Sequence, residues 1–179
     1  MSESESLSKE QSIPYAVGEN LGEPGFELLE KKLLAPGTYE LTFHAPLVAR
    51  ARKPGQFLVI YAHELAERIP ISIKEADKSK GSVTVIIQAV GKSSREVTSL
   101  EPGGRVHSIL GPLGTPTHII PNCGTAVCLG GGYGAGAILS VCRANREAGN
   151  RTIAIIGART KDLLLCVEDA KEVDRKSVV

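Results

Sequence analysis

The sequence predicts a six-stranded antiparallel β-barrel followed by an incomplete, doubly wound parallel α/β domain. In the first part, short runs of β-branched and aromatic residues alternate with Gly/Pro turns, a pattern typical of antiparallel barrels. Beyond Pro121 the pattern changes to strand, glycine turn, helix and strand, which favours a parallel sheet. We therefore expect domains at 26–115 and 121–179. The Ser/Glu-rich residues 1–25 show no sustained apolar period, and we expect them to form a disordered extension.

The barrel prediction rests on six apolar segments separated by turn residues. The clearest strand is Val-Thr-Val-Ile-Ile at 83–87, whereas 27–34 is compatible with either a strand or a short helix. Residues 91–100 leave room for one short helix. The six segments are 27–34, 38–43, 57–61, 68–73, 83–87 and 105–110.

The second domain begins with a strand at 126–129 and a helix at 134–148, which ends at a Gly149-Asn150 cap. A second strand follows at 152–156, and a further element begins near Leu163. Strands that alternate with helices in this way indicate parallel pairing, with helices covering the faces of the sheet.

This second domain is too short for a complete doubly wound sheet. Of the 179 residues, about 58 follow Pro121, which is room for two strands and part of a third. A parallel sheet of this size leaves an apolar edge and one face uncovered. Residues 171–179 are charged and patternless. We therefore expect the sequence to be the front part of a longer one.

Composition limits the classes of function. Hydrophobic residues make up 42% and charged residues 23% of the chain, as in an ordinary globular protein. A net charge of +1, 4% aromatic residues and no Trp argue against nucleic acid or an anionic membrane as partner. The apolar runs are too short for a membrane span, and a signal-peptide pattern is missing. We expect a cytoplasmic protein.

Cysteine and histidine positions favour structural roles over a metal site. The histidines are scattered without the spacing of metal ligands, so no metal is expected. The cysteines lack a Cys-x-x-Cys pair and lie mostly in apolar surroundings, so we expect buried, reduced thiols. The four cysteines are Cys123, Cys128, Cys142 and Cys166.

The run Gly130-Gly131-Gly132-Tyr133-Gly134 between a strand and a helix is the first candidate site. A strand, a glycine turn and a helix in succession direct the positive end of the helix dipole at a phosphate group. A tight strand-to-helix turn without any ligand gives the same pattern, so both interpretations stay open.

Six motifs, in sequence order, resemble those of the ferredoxin–NADP reductase superfamily, flavoproteins that pass electrons between NAD(P)H and a partner. The motifs are Pro54-Gly55-Gln56-Phe57, Arg68-Ile69-Pro70-Ile71-Ser72, Gly91-Lys92-Ser93-Ser94, Gly111-Pro112-Leu113-Gly114, Gly130 to Gly134 and Gly157-Ala158-Arg159. Within the superfamily, the sequence resembles two related electron-transfer subunits, that of dihydroorotate dehydrogenase and the FAD subunit of sulfide dehydrogenase. The latter is also the small subunit of NADH-dependent reduced ferredoxin:NADP oxidoreductase. Residues 67–70 and 155–162 favour the resemblance to the sulfide dehydrogenase subunit.

The resemblance implies an FAD-binding barrel followed by a partial, Rossmann-like NAD(P)-binding domain. Ser72 would be the catalytic residue, with its hydroxyl near the flavin N5 edge, although it could simply be bonded within the barrel. Pro70 could be an ordinary edge-strand proline, and Ser93 and Ser94 could simply cap a helix. The implied FAD contacts are Arg68, Ile69, Pro70, Ile71, Ser72, Ile87, Gln88, Gly91, Lys92, Ser93 and Ser94.

The same resemblance implies that NAD(P)H contacts the second domain. The glycine loop would approach the dinucleotide pyrophosphate, and Arg159 would lie near the adenosine ribose or its phosphate, unless it is a solvated loop residue. An acidic residue that would mark NAD over NADP is not evident. The implied nucleotide contacts are Gly130, Gly131, Gly132, Gly134 and Arg159.

Two departures from the superfamily pattern concern the cofactors. The superfamily usually has Arg three residues before the flavin-strand Ser or Thr, where this sequence has Ile69; Arg68, one position earlier, starts on the opposite face of a strand. The related subunits also carry a C-terminal cysteine cluster for an iron–sulfur centre, and this sequence has no such cluster.

Two hypotheses of function follow. The first is an FAD-dependent oxidoreductase subunit that passes electrons between NAD(P)H and a larger catalytic flavoprotein subunit or an iron–sulfur acceptor, with ferredoxin as a further candidate partner. The second is a truncated, non-catalytic remnant that binds flavin or a partner and has an incomplete nucleotide domain. A third possibility is a reductase completed by strands from a second chain.

Overall fold

The computed structural model describes residues 25–173. The predicted disordered extension therefore lies, apart from Gly25, outside the described residues, as does the end of the predicted charged tail. Among the described residues, the structure contains a seven-stranded antiparallel sheet and a two-stranded parallel sheet. The predicted fold class, a barrel followed by a partial parallel domain, is confirmed.

The antiparallel sheet closes into a barrel. Its strands are β1 (Phe26–Ala35), β2 (Thr38–His44), β3 (Phe57–Tyr61), β4 (Ile69–Asp77), β5 (Ser82–Gln88), β6 (Arg105–Val106) and β7 (Ser108–Leu113). Their order across the sheet is β6-β1-β2-β5-β4-β3-β7. Only His107 separates β6, which pairs with β1, from β7, which pairs with β3. The predicted sixth strand is thus two short strands, and together they join the two ends of the sheet.

The ambiguous first segment is a strand because two irregularities hide its alternation. β1 pairs with β2, and its register shifts between Leu28 and Glu30 and again between Leu33 and Ala35. Each bulge inserts an unpaired residue and moves the following side chains to the other face of the sheet. Phe26 and Leu28 point into the barrel core, whereas Ala35 is buried in a separate cluster with Ile86 and Leu165.

Side chains from every long barrel strand fill the interior. Leu41, Phe43, Leu58 and Ile60 have no exposed surface. A short helix, α1 (Pro46–Ala51), closes one side with buried Val48 and Ala49. We did not predict α1, because its six residues are too few for a periodic pattern. The predicted helix α2 (Lys92–Thr98) is present and buries Val97 against the same core.

The second domain contains the predicted strand–helix–strand unit. It consists of β8 (Thr125–Gly131), α3 (Gly134–Glu147), β9 (Arg151–Gly157), a single 3-10 turn (Lys161–Leu163) and α4 (Val167–Val173). β8 and β9 pair in parallel. Helix α4 corrects the expectation that residues from 171 onward are patternless. Residues 171–173 belong to α4. The helix continues through them because Ala170 and Val173 are buried beside Leu139 and Cys142 of α3.

The two faces of the parallel pair have different environments. One face, with Ala154 and Ile156, is covered by α3 and α4. On the other face, Val127 is 52%, Leu129 68% and Ile155 40% exposed. The uncovered apolar face expected for a short parallel sheet is therefore present in the described part of the chain.

Helix α3 also packs directly against the barrel. A Cβ atom at Gly136 would lie 2.7 Å from Cδ1 of Ile86 on β5, so the missing side chain allows the helix to approach the barrel wall. Ion pairs reinforce this contact. Arg143 of α3 lies 3.6 Å from Glu75 of β4 and 3.2 Å from Asp169 of α4.

Candidate cofactor-binding site

A cleft of about 500 Å³ opens on the barrel beside β4, β5 and the start of α2. We call it the barrel cleft. It gathers all of the predicted flavin contacts except Arg68 and Ser72. Sequence reasoning missed four of its residues: Glu67, Ile86, Val90 and Tyr133. The predicted residues that line the cleft are Ile69, Pro70, Ile71, Ile87, Gln88, Gly91, Lys92, Ser93 and Ser94.

The barrel cleft has one apolar end and one polar end. Ile and Pro side chains of β4 and β5 form the apolar walls, as suits a flat aromatic ring. At the polar end, the hydroxyl of Ser94 accepts hydrogen bonds from the amides of Gly91 at 2.9 Å and Val90 at 3.1 Å. Ser94 therefore caps α2, in agreement with the structural interpretation that Ser94 is a helix cap.

The neighbouring hydroxyl already has an acidic partner. Ser93 donates a hydrogen bond to the Glu67 carboxylate at 3.1 Å, and Glu67 itself lines the barrel cleft. An anionic ligand at this end would meet a negative charge unless that carboxylate moved aside. Lys92, the nearby cation, has a side chain that is 83% exposed and lies 3.9 Å from Glu96. Lys92 is therefore a solvated side chain.

Arg68 lies away from the barrel cleft. Its guanidinium carbon is 5.0 Å from the centroid of the Tyr61 ring, which in turn lies 5.2 Å from the ring of His107. Arg68 immediately precedes β4 and does not line the cleft, although its neighbours Glu67 and Ile69 do. The structure therefore does not bring Arg68 together with the other predicted flavin contacts.

Ser72 lies in a smaller cleft of about 110 Å³ between β4 and the beginning of α3. Besides Ser72, this cleft is lined by Lys74, Gly136 and Tyr133, and it shares Pro70 and Ile71 with the barrel cleft. Ser72 is exposed and faces the helix rather than the barrel core. The hydroxyl is thus placed where the barrel and the second domain meet.

Lys74 is buried below Ser72 and belongs to an ion-pair network. Its ammonium group donates to the carboxylate of Glu40 on β2 and lies 3.0 Å from Asp169 on α4. Burial alone would lower the pKa of Lys74, but hydrogen bonds to Glu40 and Asp169 outweigh it and raise the pKa above its ordinary value. Lys74 therefore stays charged and links the barrel to the second domain.

A third cleft, of about 550 Å³, lies at the glycine loop, and we call it the nucleotide cleft. It brings Gly131 and Gly132 together with Arg159, which the sequence placed on separate loops. Its remaining lining comes from Tyr133, Gly157, Ala158, Leu163, Leu165 and three barrel residues, Ala35, Thr38 and Gln88. Gly130 and Gly134, also predicted as contacts, are not part of this lining.

Glycine is needed at different positions of the loop for different structural reasons. Gly132 has a φ of +52°, and its amide donates to the carbonyl of Gly157 at 2.9 Å. A Cβ at Gly130 would lie 2.9 Å from Cα of Ala135, so Gly130 allows α3 to pack closely on β8. The glycine run thus combines a packing position with positions that line the nucleotide cleft.

The cysteines correct part of the prediction. Cys142 is buried, but Cys128 and Cys166 are half-buried and Cys123 is exposed; all four are free. Cys123 departs from the expectation because it lies in the loop before β8, outside the apolar segment. Burial raises the pKa of the Cys166 thiol to about 11. Within residues 25–173, no group of three or more His, Cys, Asp or Glu side chains is arranged to hold a metal ion.

Comparison with known proteins assigns the class. No protein-family model matches the chain. A solved structure of NADH-dependent reduced ferredoxin-NADP oxidoreductase, described for flavin-based electron bifurcation, superposes with a TM-score of 0.80. It is 34% identical to this chain, and the match covers 86% of this chain and 55% of that one. The barrel and the partial parallel domain therefore form a ferredoxin reductase-like fold.

Sequence relatives are more specific. The chain is 35% identical over 147 residues to a homologue of the electron-transfer subunit of dihydroorotate dehydrogenase B from Thermotoga maritima, covering 82% of this chain and 52% of the relative. The corresponding subunit from Geobacillus thermodenitrificans is 32% identical over 146 residues, covering 79% and 56%. The chain thus spans about half the length of these curated relatives. It is a homologue of these electron-transfer subunits, and the predicted resemblance is confirmed.

A search of the helices within the described range finds none with the length and apolar character needed to cross a membrane.

Proposed function

We propose that this chain is an electron-transfer subunit of an FAD-dependent NAD(P)H oxidoreductase. The observation that carries the proposal is that the barrel cleft and the nucleotide cleft adjoin. Gln88 and Tyr133 line both, so a ligand in one cleft would lie beside a ligand in the other. Electron transfer between a flavin and a nicotinamide needs this adjacency, because hydride transfer requires the reacting atoms to be about 3–3.5 Å apart.

The apolar walls of the barrel cleft suit a flavin ring, and the Glu67 carboxylate would have to move aside at the end proposed for the pyrophosphate. The β4 and β5 walls would hold the flavin ring, and residues 91–94 at the start of α2 would hold the pyrophosphate. FAD, when bound, supplies the redox chemistry. Ser72 would present its hydroxyl to the ring edge on the side of α3, and the protein would exclude water with Ile71 and Ile86.

The nucleotide cleft fits the pyrophosphate and adenosine parts of NAD(P)H. Gly131 and Gly132 leave room for a phosphate to approach the backbone. Arg159 supplies the cation that the rest of the loop lacks, and we propose that it contacts the adenosine ribose or its phosphate. In this proposal, residues 26–115 act as the flavin domain and residues 121–179 as the partial nucleotide domain.

Electrons would leave for a partner protein. The Thermotoga maritima relative is named as a homologue of an electron-transfer subunit, which implies a larger catalytic subunit. The solved relative acts with reduced ferredoxin, so a ferredoxin is a second candidate acceptor. We propose a partner of one of these two kinds, and the cytoplasm, where NAD(P)H is held, as the location.

The second candidate function is a flavin-binding or partner-binding remnant without turnover. The uncovered face of the parallel pair, with Leu129 68% exposed, favours this candidate. A nucleotide domain with one bare face has less packing to hold its cleft open for NAD(P)H. The flavin-binding form of the second candidate also places FAD in the barrel cleft, and it differs from the first candidate only in what the second domain does.

Anaerobic reduction of the FAD-loaded chain tests the proposal. Purified protein is titrated with FAD, and NADH or NADPH is then added without oxygen while the visible flavin absorbance is recorded. The proposal predicts binding followed by bleaching. Arg159→Ala should slow bleaching by weakening nucleotide binding, whereas Arg151→Ala, which removes the same charge at the other end of β9, should not. Binding without bleaching would favour the remnant, and failure to bind FAD would contradict both the reductase and the flavin-binding remnant.

A further inference from the structure

Lys74 lies in the wall between the barrel cleft and the second domain. It lines the small cleft together with Ser72, which is two residues earlier on β4 and so about 7 Å away at the spacing of a strand. Ile71 and Ile86 line both that cleft and the barrel cleft. Within the described part of the chain, Lys74 is the only charged residue in the lining of the small cleft. A flavin whose edge reaches Ser72 would therefore lie close to one buried cation.

An irregularity in β4 gives Lys74 this position. The pairing of β4 with β5 shifts register between Ile73 and Glu75, so the residue between them has no partner on β5. Such a bulge redirects the side chain of the extra residue. The Lys74 side chain is 6% exposed, and its Cβ lies 3.6 Å from where a Cβ of Gly136 on α3 would stand. Packing therefore fixes the charge at the wall of the cleft.

The charges around Lys74 form a network of both signs. Glu40 and Asp169 hold the ammonium group, and Arg143 pairs with the same Asp169 at 3.2 Å and with Glu75 at 3.6 Å. The two carboxylates that hold Lys74 are only 19% and 26% exposed, so water screens them weakly. A substitution that neutralises one member changes the local charge by one unit, and the residue removed decides the sign.

We propose that the charge of Lys74 raises the reduction potential of a flavin bound in the barrel cleft, and that Glu40 and Asp169 limit the rise. This inference rests on the proposed function. Reduction adds electrons to the flavin ring, so a nearby cation stabilises the reduced form and nearby anions oppose it. Lys74 itself gains and loses neither an electron nor a proton. It acts through its charge and its fixed position.

Reduction potentials of the FAD-loaded chain test this inference. Each variant is reduced stepwise without oxygen beside a reference dye, with no NAD(P)H present. Lys74→Met should shift the equilibrium about tenfold toward oxidised flavin, which is about 30 mV for a two-electron couple. Asp169→Asn should shift it severalfold toward reduced flavin, although it breaks the same ion pair. Glu168→Gln, an exposed position on α4, should match the original protein.

The opposite signs separate an electrostatic role from a structural one. Lys74→Met and Asp169→Asn both lose the link between the barrel and α4, so a structural effect would move both potentials in the same direction. Shifts in one direction, or no shift in either variant, would overturn the inference. If Lys74→Met does not hold FAD, Lys74→Gln and Glu40→Gln provide the two signs. Loss of FAD from both lysine variants would make Lys74 a structural residue and would also overturn the inference.

The same measurements distinguish this inference from the proposed function, because they do not use NAD(P)H. Opposite shifts in a chain whose flavin is not bleached by NAD(P)H would support the role of Lys74 and contradict the reductase. Bleaching by NAD(P)H with unchanged potentials would support the reductase and contradict the role of Lys74. A chain that binds no FAD would contradict both.

Discussion

The barrel buries its apolar side chains more completely than the parallel strand pair does. In the barrel, Leu41 and Phe43 have no exposed surface, and the β6–β7 segment joins the two ends of the sheet. In the parallel pair, α3 and α4 cover one face, while Leu129 on the other is 68% exposed. The barrel strands therefore enclose their own core, whereas the parallel strand pair depends on α3 and α4 to cover one of its faces.

The largest expected effect compares one leucine from each region. Leu41→Ala should lower the free energy of unfolding by about 2–5 kcal/mol, because it leaves a cavity in a closed core. Leu129→Ala removes the same atoms from an exposed site and should change the free energy of unfolding by less than about 0.5 kcal/mol. Denaturant unfolding followed by circular dichroism measures both. A comparable loss at Leu129 would mean that the parallel pair is covered in solution.

The next effect compares two glycines of the same loop. Gly130→Ala should destabilise the protein by about 1–3 kcal/mol, because its Cβ would overlap the backbone of Ala135 and force α3 away from β8. Gly134→Ala meets nothing within 4 Å and should be neutral or slightly stabilising. Thermal unfolding of the two variants makes the comparison. Equal melting temperatures would contradict the close packing assigned to Gly130.

A smaller effect tests the ionic link between the regions. Asp169→Asn removes one partner of buried Lys74 and of Arg143, and should cost about 1–2 kcal/mol, since Glu40 still pairs with the lysine. Glu168→Gln, the adjacent position on α4, breaks an exposed pair with Lys171 and should cost little or nothing. Denaturant unfolding of both variants distinguishes the two ion pairs, and equal losses would contradict a link specific to Asp169.

The same link gives a pH dependence. The pKa of Lys74 is higher in the folded chain than in the unfolded chain, so its contribution to stability is complete below the ordinary lysine value of about 10.4. That contribution is lost as the pH rises through the higher folded value. Unfolding measured above pH 10 should show a smaller loss in Asp169→Asn than in the original protein.

The smallest effect concerns the polar end of the barrel cleft. Glu67→Gln removes the carboxylate that Ser93 holds there, and FAD should bind about threefold more tightly because one charge near its pyrophosphate is gone. Glu64→Gln removes a nearby exposed charge that does not line the cleft. Titration with FAD gives both dissociation constants. Weaker binding in Glu67→Gln would show that the carboxylate helps to hold the cofactor.

Much of the fold was predictable because its signals are local. The run 83–87 and the glycine run that begins at the end of β8 each have one dominant structural interpretation. The strand β1 was ambiguous because two bulges break its alternation, and α1 was missed because six residues show no period. Helix α4 was missed because its apolar face depends on contact with α3 and β9, which sequence spacing does not reveal.

The candidate site was predictable where motifs lie on adjoining strands and loops. Pro70, Ile87 and Ser93 come together as expected. Arg68 does not, because its guanidinium lies over the ring of Tyr61 on β3, a contact that sequence spacing does not reveal. Glu67 and Tyr133 were missed because their importance arises from distant neighbours: a hydroxyl on α2 in one case and three converging clefts in the other.

A crystal structure of the chain with FAD tests the central claim most directly. The account predicts the flavin ring between β4, β5 and Tyr133, with its edge at Ser72 and its pyrophosphate at residues 91–94. The nucleotide cleft at Gly131 and Arg159 should remain open beside it. Density for FAD at any other site, or a flavin ring separated from the nucleotide cleft by the protein backbone, would contradict the account.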